Sequence, residues 1–134
     1  MLECATHSGD AAAVLELAHK YPFVHAALGI HPESLGEEDA ATVATYHGDW
    51  RAELAAMRPL FDDPAVIAVG EIGLDHHWPL PAQEQYDLLK RSCSWRRSWT
   101  CRSRCMTAKP TPKCMSCCAS TAPAGGAALL QRQR

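Results

Sequence analysis

Between Ala65 and Asp75 the chain reads AVIAVGEIGLD, and this stretch restricts the possible folds more than any other. Val66, Ile67, Ala68 and Val69 form an apolar, largely β-branched run without polar alternation, closed by Gly70, which is the pattern of a strand covered on both faces. Such strands belong to parallel sheets, so the remaining text must supply helices to cover them. Glu71 follows at once. An acid where a buried parallel strand ends occupies the usual position for chemistry in α/β proteins, because its side chain projects from a rigid strand into the mouth of the fold. Ile72 and Leu74 return to the interior, and Asp75, His76 and His77 add polar groups nearby.

The preceding text meets that demand. Asp10 to Tyr21 predicts a helix capped by Asp10 or Ser8, with Val14, Leu15, Leu17 and Ala18 on its apolar face and Pro22 ending it. Phe23 to Ile30 is the next buried-strand candidate, and it delivers His31 and Pro32 at its carboxyl end. Pro32 to Glu38 reads as a loop, with Glu37, Glu38 and Asp39 suited to the first turn of a short helix over Ala40 to Tyr46. A further helix spans Trp50 to Arg58, with Leu54 and Met57 inward and Arg51, Glu53 and Arg58 outward. Pro59 ends or kinks it. After the organising strand, Pro79 and Pro81 force a loop, and Gln83 to Arg91 predicts another helix burying Tyr86, Leu88 and Leu89. Strands with helices between and after them imply parallel pairing in an α/β fold.

The phrase GEIGLD, together with GIHPES at Gly29 to Ser34, closely resembles the TatD family of metal-dependent deoxyribonucleases. The likeness runs from about Thr6 to Arg91. It implies part of a TIM (β/α)8 barrel, and part only, because a whole barrel takes about 250 residues and this chain has 134. It further implies hydrolysis of phosphodiester bonds in DNA with one or two divalent ions, magnesium or a similar metal. Glu71 corresponds to a metal-binding, catalytic Glu of the family, and His31 to a residue near the substrate phosphate. A carboxylate suits a hard divalent cation, and bridging two ions lets it serve both the attacking and the leaving oxygen. The alternative for Glu71 is a solvated acid at a strand end, and for His31 a hydrogen bond to its own loop. His76 and His77 stand where the family more often has aromatic residues, so packing or loop contacts are expected of them. The family's other ligands, an amino-terminal His-x-His, two later His and a final Asp, are not in the chain as written. One carboxylate is not expected to hold a two-metal centre, and the chain alone is expected to be inactive.

The text changes at Arg91. Through that residue there are 15 acidic and 5 basic residues, a charge of −10, whereas Ser92 to Arg134 carries 8 basic residues and no acid. Cys93, Cys101, Cys105, Cys114, Cys117 and Cys118 crowd the second part, which has almost no aliphatic residues before Ala127. Such a stretch cannot bury enough apolar surface to offset chain entropy, so 1–91 is expected as the barrel segment and 92–134 as a disordered or irregular tail. Given GC-rich codons, Arg91 to Thr107 shifted by one base reads QLQLAEELDLPVQVHD. Trp99 before Thr100 and Met106 before Thr107 each force an Asp in that frame. Gly126 to Arg134 read in the remaining frame as VLHCFSGS, again similar to TatD text. The hypothesis is a nucleotide lost near Arg91 and a second insertion or deletion near Ala124, making the tail an out-of-frame product of a damaged gene. Independent gene reads showing one unbroken frame for the printed tail would sink it.

A competing expectation is a zinc-clasped, nucleic-acid-binding tail. Cys114 and Cys117 have C-x2-C spacing, Cys101 and Cys105 lie four apart, and basic residues surround both pairs. The tail has no His, and none of the hydrophobic residues a zinc ribbon needs. No apolar run is long enough to span a bilayer and the start resembles no signal peptide, so a cytoplasmic protein is expected, with DNA as partner, no membrane association and no specific protein partner.

Overall fold

In a computed structural model, which describes residues 1–98, Val66–Val69 forms the strand expected of it. It is β3 of a three-stranded parallel sheet ordered β1-β2-β3, with β1 at Leu2–Cys4 and β2 at His25–Leu28. β1 was not foreseen, because three residues are too few to show a period. It pairs Leu2 with His25 and Cys4 with Ala27. β2 pairs Ala26 with Val66 and Leu28 with Val69 across a register shift at Ala26/Ala27. The result is the α/β arrangement of a partial TIM barrel.

Parallel strands need crossovers, and helices provide them. α1 (Ser8–Lys20) joins β1 to β2 and buries Ala11, Val14, Leu15 and Ala18. Its cap is His7 rather than Ser8 or Asp10: the His7 side chain accepts from the Gly9 amide at 3.0 Å. Asp10 sits in the first turn and accepts from the Thr6 amide and hydroxyl at 3.0 and 2.8 Å, closing a capping box with the His7 amide. The helix stops at Lys20 because Tyr21, which precedes Pro22, is extended.

A 3-10 turn at Pro32–Leu35 follows β2, and α2 is one turn, Ala41–Ala44, shorter than the expected 40–46. His47 and Gly48 both take positive φ there, 52° and 85°, ending the helix. α3 (Trp50–Met57) starts at Asp49, whose carboxylate accepts from the Arg51 and Ala52 amides, each at 3.1 Å. Pro59 then opens a 3-10 turn, Arg58–Asp62, that buries Phe61. α4 (Ala82–Ser98) covers β3 and α3, and continues past Arg91. Leu88, Leu89 and Cys93 are buried on it, and Trp95 meets Phe61 edge to face at 5.3 Å. No Gly or Pro interrupts that text, and Leu89 and Cys93 lie four apart on one face. The core between helices and sheet holds Leu28, Ile30, Leu54, Met57, Ile72, Leu88 and Leu89. The expected 92–134 tail lies, beyond Ser98, outside the described residues.

Candidate active site

The three strands end side by side, and the segments leaving them are tied together by main-chain hydrogen bonds. Ala5 continues β1 and donates to the Ala27 carbonyl at 2.9 Å. The adjacent carbonyls of Ala5 and Thr6 then receive the Glu71 amide at 3.0 Å and the His31 amide at 2.7 Å. The backbones of Glu71 and His31, from the ends of β3 and β2, are thus anchored on neighbouring residues beyond β1. To reach Ala5 the chain at Gly70 to Ile72 passes over the end of β2, where the Gly70 amide donates to the Leu28 carbonyl at 2.9 Å.

That passage explains Gly29. A Cβ there would stand 2.7 Å from the Glu71 carbonyl oxygen, 2.9 Å from the Gly70 carbonyl carbon and 2.9 Å from Ile72 Cγ2. No side chain fits without moving the Glu71 backbone, so two glycines, Gly29 and Gly70, lie at the crossing. Glu71 itself is partly exposed, and among the described residues its carboxylate takes part in none of the ion pairs. Its charge reaches Cys4 on β1. Burial first, then the negative charges of Glu71 and Glu3, push the Cys4 thiol above its ordinary pKa.

His31 caps the 3-10 turn after β2. Its Nδ1 accepts from the Glu33 amide at 3.3 Å, while Glu33 Oε2 lies 3.8 Å from the same nitrogen. The two contacts demand opposite protonation of Nδ1. The amide contact has hydrogen-bond geometry and the carboxylate contact is too long for it, so Nδ1 acts as the acceptor and Nε2 is left as the ring's donor. A ring nitrogen that donates suits an anionic oxygen.

The loop after Ile72 is pinned from α4. Buried Gln85 accepts from the Asp75 amide at 2.8 Å through Oε1, and Asp75 accepts from the His77 amide at 2.6 Å. His76 and His77 are exposed, and His77 packs edge to face with Trp78 at 4.8 Å, a loop contact of the kind expected there. The indole Nε1 of Trp78 donates to Glu33 Oε1 at 2.8 Å. Trp78 therefore belongs to the same rim as His31, which sequence reading passed over. The only signal was an aromatic between two His and a Pro just beyond the organising strand.

Glu53 is the other residue the sequence misplaced. Expected outward on α3, it is wholly buried, and its carboxylate accepts from the Ser8 amide at 2.7 Å and the Thr42 hydroxyl at 2.5 Å. The positive end of α1 and a hydroxyl from α2 compensate the buried charge, and both oxygens are occupied.

A divalent ion requires several convergent ligands. Among the described residues no group of three or more His, Cys, Asp or Glu side chains could hold one. The residues present do not by themselves fit the metal centre that the GEIGLD resemblance implies. Cys101, Cys105, Cys114 and Cys117, named for a zinc-binding tail, lie outside the described residues. No described helix is long and apolar enough to cross a membrane.

Set against known proteins, the chain matches the family model of TatD-related DNases over residues 1–101. That match is wider at both ends than the likeness from Thr6 to Arg91. The chain is similar to an uncharacterized metal-dependent hydrolase, YabD, of Bacillus subtilis (strain 168), 37% identical over 67 residues that cover 48% of this chain and 21% of that protein. It is also similar to the 3'-5' ssDNA/RNA exonuclease TatD of Edwardsiella piscicida, 35% identical over 89 residues covering 63% of this chain and 30% of that one. The matched segment thus spans less than a third of either relative.

Proposed function

Since this chain belongs to the family of TatD-related DNases, we propose that it is a segment of a metal-dependent hydrolase that cleaves phosphodiester bonds in DNA. In this reading Glu71 is a ligand of the catalytic metal and His31 donates to a substrate phosphate. The metal would be magnesium or a similar divalent ion, held by Glu71 together with ligands from outside residues 1–98. The observation that supports the reading is the shared anchorage of Glu71 and His31 on Ala5 and Thr6, at the carboxyl ends of parallel strands. The segment contributes one wall of a site. With no group of three metal-binding side chains in residues 1–98, the chain on its own should be inactive, and the out-of-frame origin is proposed for the text beyond residue 101, where the family match ends.

Two measurements test this. The purified full chain with magnesium or manganese should cleave a single-stranded oligodeoxynucleotide no faster than buffer does. A chimera of the Bacillus relative, with residues 1–91 of this chain in place of the aligned segment, should regain metal-dependent cleavage and lose it on Glu71→Ala. A folded chimera that cleaves equally well with Glu71→Ala overturns the assignment of Glu71.

A further inference from the structure

Trp78 is 53% exposed, yet it is not loose. Its indole Nε1 is held by Glu33, its ring meets His77 edge to face, and its loop is packed so closely on the 3-10 turn that a Cβ on Gly36 would stand 2.5 Å from Leu80 Cδ2. A large aromatic fixed at its polar edge and open to water elsewhere leaves apolar surface uncovered, which nothing in core packing requires. The same carboxylate that holds Trp78 through Oε1 approaches His31 Nδ1 through Oε2. Glu33 therefore meets both rings, its Oε1 accepting from the Trp78 indole at 2.8 Å and its amide donating to His31 Nδ1 at 3.3 Å, which puts an open aromatic face and an imidazole on one residue of the rim.

From this arrangement we infer that Trp78 is a stacking platform for a nucleobase, on the nucleotide whose phosphate reaches His31. The inference rests on the nuclease reading above and adds to it the residue that grips the base. Only an unpaired base offers a free face to an indole, so the ligand is single-stranded nucleic acid. Indole stacking is tolerant of base identity, which gives affinity without sequence preference. The rim also carries Glu33, Glu71 and Asp75, acids that repel phosphates, so the uncharged base is the part of the ligand that this loop can hold without a counter-ion.

The test is fluorescence anisotropy with the full chain and two labelled probes in magnesium buffer: a short oligothymidylate, and an abasic deoxyribose-phosphate strand of equal length. The expected result is binding of oligothymidylate about tenfold tighter than of the abasic strand, within the range for one base stacked on an aromatic side chain. Trp78→Ala should erase that difference and Trp78→Phe should keep most of it, with circular dichroism unchanged in both. Equal affinity for the two probes, or oligothymidylate binding that survives Trp78→Ala, overturns the stacking role and leaves the nuclease reading standing. Failure of oligothymidylate to bind at all overturns both.

Discussion

Two acids mark two kinds of place in this protein. Glu53 is sealed between α1, α2 and α3 with both oxygens occupied, whereas Glu71 stands partly exposed at the strand ends beside a thiol that its charge disfavours as thiolate. The buried acid is fully used in joining helices. The exposed one is held by its backbone, and its carboxylate is left for something else. Depth alone would have selected Glu53 as the functional group; its hydrogen bonds show that each of its oxygens already has a structural partner, Ser8 or Thr42.

The hardest challenge to this contrast is to remove each acid in turn. Glu53→Ala strands a part-buried amide and a buried hydroxyl and should cost about 3 kcal/mol in urea unfolding, whereas Glu71→Ala should stay within about 0.5 kcal/mol. Equal losses would break the distinction. Gly29→Ala sharpens it from the backbone side. Its Cβ forces the crossing segment away from β2 and should cost about 2 kcal/mol by overpacking.

A gentler probe is the thiol. Replacing Glu71 by Gln removes a negative charge that raises the Cys4 pKa, so the thiolate fraction at pH 8 should grow and Cys4 alkylation, mapped by mass spectrometry, should quicken. An unchanged rate would mean that Glu71 does not act on β1. The smallest effect lies far from the rim. Asp63 is held below the ordinary carboxylate range, first by the Ala65 amide and then by His19, whose Nε2 lies 2.9 Å from it. Its depressed pKa contributes stability above the unfolded value of about 4 that is lost as pH falls through the lower folded value. Because His19 is largely exposed, Asp63→Asn should cost only a few tenths of a kcal/mol at pH 7, and less as pH falls through the folded value.

What the sequence made legible follows from the range of the forces involved. β3 and the position of Glu71 were readable because an unbroken β-branched run and its closing glycine are local signals. α1 and α3 were readable from their apolar spacing. Glu53 was not, since its partners Ser8 and Thr42 lie 45 and 11 residues away and spacing on α3 turned it outward. β1 escaped because its pairing with β2 is non-local, and His7 because histidine is a rare cap. α4 outran its expected end because Cys93 and Trp95, which looked like tail composition, find Leu89 and Phe61 when wound onto a helix. Trp78 was in plain view as a letter, but its tie to Glu33 spans 45 residues.

The order β1-β2-β3 leaves one hydrogen-bonding flank of β1 and one of β3 without a neighbouring strand among the described residues. β2 is the strand paired on both sides, so its hydrogen-bonding edges are spent within the sheet and its carboxyl end is where both neighbours' exits converge.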